Sequence, residues 1–253
     1  TTNMSSPVQI GSAVTWKNVF ASWYSCIAVK TDGTQWIWGD STGGQLGNSL
    51  APGNVGVPTQ LGALTTWLQF SGGYIFNIGT RTDGTLWATG KNTVGQLGLG
   101  DTTQRNVFTQ VGGLTTWLKT ACGYSASYAI KTDGTMWSWG ANTKGELGDN
   151  STTNRNSPVQ IGALTTWSEL PRHAGFTFSC AIKTDGTLWA WGEGSNGQLG
   201  QGNTTDYSSP VQVGALTTWS KVTCGRAFVL ATKTDGTLWA WGTGGAGALG
   251  QGN

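Results

Sequence analysis

The chain has 253 residues, only 10% of them charged, and its 14 basic and 12 acidic side chains leave a formal charge of +2. No basic run is present to track a phosphate backbone, which argues against nucleic acid as a partner, and no stretch approaches the ~18 apolar residues of a membrane span. The 41 glycines and 15 tryptophans are the opposite excess, and because they recur in register they mark repeated turn and core positions, not disorder.

Along the chain, Trp16, Trp67, Trp117, Trp167 and Trp219 fall at equivalent places, 51, 50, 50 and 52 residues apart. Self-similarity at a fixed period governs the fold before any local motif does. The repeats run 16–66, 67–116, 117–166, 167–218, and 219–253 joined with 1–15, all in one domain. Pro171 and Arg172 are an insertion that lengthens the fourth period.

The fourth copy shows the logic of one repeat. Phe176–Lys183 is rich in aromatic and β-branched residues and reads as a strand. Thr184-Asp185-Gly186-Thr187 then forms a hairpin turn, for which an Asp-Gly pair with positive φ at both central positions is the expected form. Leu188–Gly192 returns, with Trp189 and Trp191 two apart and therefore on one face. The pair recurs as Trp36/Trp38, Trp137/Trp139 and Trp239/Trp241, while the second copy keeps Trp87 but has Thr89 at the other place. These rings are expected in the core.

Gly197-Gln-Leu-Gly200 follows, with counterparts at 44–47, 95–98, 145–148 and 247–250. It lacks the Lys-Ser/Thr and the strand-to-helix setting of a phosphate loop. Next comes an extended Ser-Pro-Val-Gln segment with its proline at Pro7, Pro58, Pro158 and Pro210, replaced by Phe108 in one copy. Gln9, Gln60, Gln110, Gln160 and Gln212 recur there, which predicts a side-chain amide satisfying backbone groups. Each copy thus supplies four short strands with too little apolar area to stand alone. The expectation is an all-β, closed five-bladed propeller with four antiparallel strands per blade, its last blade closed by both chain termini.

The combination Thr-Asp-Gly-Thr-x-Trp-x-Trp-Gly, Asn or Ser near Gly-Gln-Leu-Gly, then Ser-Pro-Val-Gln, seen best from Asp185 to Gly200, resembles the repeats of the regulator of chromosome condensation family. The resemblance covers essentially the whole chain and implies a β-propeller. Two departures stand out. The best-known members have seven blades, whereas this chain has material for five. The family's usual His ahead of the strand entering the Asp-Gly turn is replaced by Ser25, Phe76, Ala126, Phe178 and Phe228. The basic N-terminal tail of the family's nucleotide-exchange factor has no match here, so exchange activity is not carried over.

Catalysis has little support, and neither a cofactor nor a metal is expected. His173 is the lone histidine, and the four cysteines form no CxxC pair. Asp32, Asp83, Asp133, Asp185 and Asp235 suggest an acidic ring, but each is followed by Gly-Thr and is explained by its turn. The candidate binding positions are Trp23, Tyr74, Tyr124, Phe176 and Arg226, each immediately after a strand-start Gly or Ser, with His173 in the longer loop of the fourth copy. The predicted function is a non-enzymatic scaffold that presents loops, such as 48–55 and 100–106, to a protein or surface partner. The alternative is a multivalent lectin that stacks a surface glycan on the repeated aromatic positions. A monomer is expected, and the Asn-, Thr- and Gly-rich, Lys-poor composition favours an extracellular or surface-displayed location.

Overall fold

The structure, a computed structural model, describes residues 4–49 and 53–252. Its strands are grouped in chain order. The first blade holds β1 (Trp16–Ala21), β2 (Ser25–Lys30), β3 (Gln35–Asp40) and β4 (Asn54–Gln60). The second holds β5 (Trp67–Gly72), β6 (Phe76–Arg81), β7 (Leu86–Gly90) and β8 (Arg105–Gln110). The third holds β9 (Trp117–Cys122), β10 (Ala126–Lys131), β11 (Met136–Gly140) and β12 (Arg155–Gln160). The fourth holds β13 (Trp167–Glu169), β14 (Phe178–Lys183), β15 (Leu188–Gly192) and β16 (Tyr207–Gln212). The fifth holds β17 (Trp219–Cys224), β18 (Phe228–Lys233) and β19 (Leu238–Gly242). Every pairing is antiparallel between sequential strands; the first strands β1 and β5 lie side by side, as do β5 and β9, and β17 lies beside β14, the second strand of the fourth blade.

The hydrophobic core lies between blades. One cluster joins Ile27, Val29, Ile37 and Leu46 of the first blade to Trp67 and Phe70 of the second. Corresponding clusters join the second to the third, the third to the fourth and the fourth to the fifth. A sheet this small is apolar on both faces and must be covered by neighbours on both sides.

The closed ring predicted from the repeats does not form. The fifth sheet has three strands, and no strand is found in residues 4–15. In the first four blades the residue after the recurring glutamine donates its N–H back across the sheet, as Ile161 does to Met136 O and Val213 to Leu188 O. The matching Ile10 stays exposed, and β19 keeps an open edge. Among the described residues no cluster joins the fifth blade to the first, because the four junctions do not bring them together. Leu238 is consequently 69% exposed where Leu188 is fully buried, and Val19 is 71% exposed where its counterpart Phe70 is buried.

The Asp-Gly turn also differs from expectation. In all five copies only the glycine has positive φ, between 76° and 84°. Gly186 N–H donates to Lys183 O and Lys183 N–H to Thr187 O, the pattern of a type I turn followed by a glycine bulge. A Cβ at Gly186 would lie 2.1 Å from Thr217 O, in the segment leading into β17, so packing as well as φ demands glycine. Asp185 Oδ1 accepts from Thr187 N–H and from its hydroxyl, and that hydroxyl accepts the Trp189 Nε1–H at 2.8 Å. The same relay recurs at Asp32, Asp83, Asp133 and Asp235. It holds the first tryptophan of each pair over the turn, where Lys30, Arg81, Lys131, Lys183 or Lys233 lies on its face. These first tryptophans are therefore half-buried or exposed, not core as the alternating pattern suggested.

Two outcomes follow from these packings. Leu188→Ala should cost about 2–5 kcal/mol, because it empties a buried site. Leu238→Ala should change stability by less than about 1 kcal/mol, as at an exposed position. Urea unfolding of both variants reads the difference, and equal large losses would mean that β19 is covered. The Asp133 carboxyl is held below its ordinary range by the Thr135 hydroxyl and N–H. A depressed folded pKa gives stability that is full above the unfolded value of about 3.9 and is lost as pH falls through the folded one. Asp133→Ala should thus lower the melting temperature at pH 7 and flatten its fall in acid, a comparison made by calorimetry from pH 7 to 2.

Candidate functional site

Where the first strand of each blade passes into the second, a glycine or serine is followed by Trp23, Tyr74, Tyr124, Phe176 or Arg226. Under Gly73, Gly175 and Gly225 lie the rings of Phe76, Phe178 and Phe228, and a Cβ on any of these glycines would meet its ring. The phenyl groups that replace the expected histidine thus plug the space beneath the binding positions. Backbone bonds tie neighbouring blades at this level, Tyr74 N–H to Tyr124 O and Phe176 N–H to Arg226 O.

The structure brings all five predicted positions into one continuous row. Trp23 meets Tyr74 edge-on at 5.6 Å and Tyr124 at the same distance. Tyr74 stacks on Tyr124 at 4.4 Å, Tyr124 lies on Phe176 at 4.1 Å, and the Arg226 guanidinium is 5.7 Å from the Phe176 ring centre. These rings are not core between blades. Tyr74, Tyr124 and Phe176 are half-buried, and Trp23 is 55% exposed.

Beside the row is a cavity of about 150 Å³, lined by Trp23, Tyr124, Phe176, Arg226, His173 and Cys224 among others. The Pro171-Arg172 insertion makes this wall. It shortens β13 to three residues and lets His173 O accept from Cys224 N–H, while Ala174 N–H donates to Cys122 O, so one segment bridges the third and fifth blades. Enclosure by the cavity wall and the nearby Arg172 charge lower the His173 pKa, leaving the ring neutral near pH 7. Among the described residues no three His, Cys, Asp or Glu side chains gather as metal ligands, and the five turn aspartates each face back into their own turn. The loops singled out from sequence are latched at an end: Ser49 N–H donates to Asn106 O, and Gly100 N–H to Asn156 O. Residues 50–52 of the first loop lie outside the described residues.

Sequence reasoning missed Tyr24. Its ring meets Tyr74 edge-on at 5.5 Å and is half exposed, which extends the row outward. The Trp23-Tyr24 doublet in the first copy was the available signal. A hydrogen bond with Tyr74 raises the Tyr24 pKa, and burial raises that of Tyr124, so both phenols stay protonated at neutral pH.

The repeated glutamines divide differently from expectation. Gln60 Nε2 donates to Gly62 O at the surface, and Gln9 is exposed. Gln110, Gln160 and Gln212 are half-buried in their outer strands. The buried amide work falls to the other recurring position. Gln45, Gln96 and Gln198 each accept a backbone N–H two residues back, and Glu146 takes the same role. Trp139, Trp191 and Trp241 pack between blades as the sequence indicated, with their indole N–H groups on backbone carbonyls of the preceding blade, whereas Trp38 is half-buried at the open end.

A family model described as the regulator of chromosome condensation (RCC1) repeat matches residues 83–130, 133–182 and 185–232, and a second model of that repeat matches 117–146. Among solved structures, human WBSCR16 is similar over 94% of this chain and 64% of its own, with 20% identity and a TM-score of 0.83. Prp20p from Saccharomyces cerevisiae is similar over 93% of this chain and 60% of its own, with 19% identity and a TM-score of 0.81. The receptor kinase CR4 ectodomain from Physcomitrella patens follows at 14% identity and a TM-score of 0.57, over 90% of this chain and 53% of that one. The chain therefore spans less than two thirds of the length of these proteins.

The phenol cluster yields a direct test. Tyr74→Phe removes the hydroxyl that raises Tyr24, so the Tyr24 titration should move down toward about 10. Absorbance at alkaline pH reads the shift, with Tyr24→Phe identifying the residue; an unmoved titration would show that the two hydroxyls do not interact.

Proposed function

The chain belongs to the regulator of chromosome condensation repeat family, and from that premise we propose that it is a non-enzymatic scaffold that takes a partner protein on its aromatic row. The observation that carries this reading is the continuous row from Trp23 to Arg226, half open to solvent beside a cavity. Aromatic and arginine side chains held on a rigid frame supply large contact area with little entropy to lose, and they dominate protein interfaces. The comparison with fold relatives supports it: the Prp20p structure is described with binding properties to Gsp1p and histones, and Prp20 has been solved bound to Kap60.

A sugar is the poorer fit. Glycan stacking needs an open ring face, but Tyr74, Tyr124 and Phe176 cover one another at 4.1–4.4 Å and present mainly edges. Trp23, Tyr24 and the hydroxyl edges remain to meet a protein surface. His173 has a neutral ring beside Arg172, an arrangement that offers hydrogen bonding at the rim in place of acid–base chemistry.

Protein and glycan arrays probed with the whole chain, and with Trp23→Ala and Tyr124→Ala, test the reading. The expected result is a protein ligand whose affinity falls roughly 30-fold, about 2 kcal/mol, in a variant that keeps its melting temperature. Protein binding that ignores both substitutions would remove the row from the interface. Glycan binding lost in Tyr124→Ala would replace the proposal with a lectin.

A further inference from the structure

Cys180 and Cys224 sit in different repeats and at different repeat positions, the first within β14 and the second at the end of β17. Their Sγ atoms nevertheless meet at 3.2 Å in the core between the fourth and fifth blades. That separation is about 1.2 Å longer than a disulfide bond, a gap within reach of small rotations about the two Cα–Cβ bonds. Both residues are thiols in this structure and both are buried. Of the other two cysteines, Cys122 is buried near Ser127 and Cys26 is half-buried in β2.

We propose that Cys180 and Cys224 form an inter-blade disulfide, a modification site loaded by exchange with a small disulfide such as glutathione disulfide. Cys224 is the entry point, because it lines the cavity beside Arg226, whereas Cys180 is sealed from solvent. The Cys224 thiolate attacks one sulfur of the oxidant, forming a mixed disulfide and expelling one glutathione thiolate. The Cys180 thiolate then attacks the Cys224 sulfur, forming the protein disulfide and expelling the second glutathione. The two protons lost by the cysteines end on the two glutathione thiols, so the protein is oxidised by two electrons and the oxidant is reduced by two. Burial raises the Cys180 pKa, which makes the second step the slow one.

The location gives the bond its consequence. In an array of blades stability is close to a sum over nearest neighbours, and among the described residues the fifth blade shares a buried core only with the fourth. A covalent link there fastens the least supported blade. It also fixes β17 two residues before Arg226, whose carbonyl accepts the Phe176 N–H and completes the aromatic row.

The test is made on the whole chain, equilibrated with glutathione disulfide, then denatured, alkylated and digested with trypsin. Expected are two alkylated cysteines, a mass lower by two hydrogens, and a linked pair of peptides, 173–183 with 222–226, separated by reductant. Reduction should lower the melting temperature by on the order of 5 °C, while Cys180→Ala and Cys224→Ala should not respond to reductant. Four alkylated thiols, a glutathione adduct that stays on Cys224, or a bond that includes Cys26 or Cys122 would overturn the proposal. The mass result does not depend on ligand binding, so it stands or falls separately from the scaffold reading.

Discussion

The interaction on which the structure depends is an indole N–H meeting a backbone carbonyl of the preceding blade. Trp139 donates to Gln96 O at 3.0 Å, Trp191 to Glu146 O at 2.8 Å and Trp241 to Gln198 O at 3.0 Å. A buried N–H without a partner costs free energy comparable to a lost hydrogen bond, so the indole that reaches this oxygen is favoured over one that does not, as at Trp117, Trp167 and Trp219, whose buried N–H groups are unpartnered. The Gly-x-Leu-Gly turn is shaped to offer it. Its last glycine lies against the indole, and a Cβ at Gly98 or Gly148 would come within 2.8–2.9 Å of the ring. Volume, hydrogen bonding and turn conformation therefore converge on one contact, repeated at three of the four junctions.

The fourth junction shows what the contact requires when the tryptophan is missing. Thr89 leaves both a hole and a carbonyl without its indole. Phe108, where the other outer strands have proline, fills the hole: its ring takes the place over Gly47 that an indole takes over Gly98. It also packs on Trp67 at 5.0 Å. The Asn77 amide donates to Gln45 O at 2.8 Å, and Thr89 itself donates to Gly44 O. In the sequence these were two unrelated departures in one repeat. In space they are a single compensated exchange.

That example marks the limit of what was readable in the residues. The repeat, its strands and the second tryptophan of each pair follow from periodicity, because a period-2 face and a fixed spacing are properties of the chain itself. The row from Trp23 to Arg226 was visible as a column of equivalent positions, but not whether it faced solvent or core, since that depends on how far each blade turns from the next. Ring closure failed for the same reason. Matching ends are a local property, whereas closure is the sum of four junction rotations. The half-exposure of Trp189 was hidden because the Asp185–Thr187 relay, not burial, fixes its ring. The Cys180–Cys224 approach was hidden because the two cysteines occupy different repeat positions, and periodicity compares only like with like.

The carbonyl that receives each indole belongs to glutamine in two junctions and to glutamate in another, and its side chain points elsewhere, to a backbone N–H two residues back. The junction consequently reads no side-chain identity at that position. Any repeat that carries the tryptophan can follow any repeat that carries the turn. In a gene this means that whole copies can be gained, lost or shuffled by recombination without a matching change in a neighbour, so copy number is free to drift while the surface residues of each unit diversify.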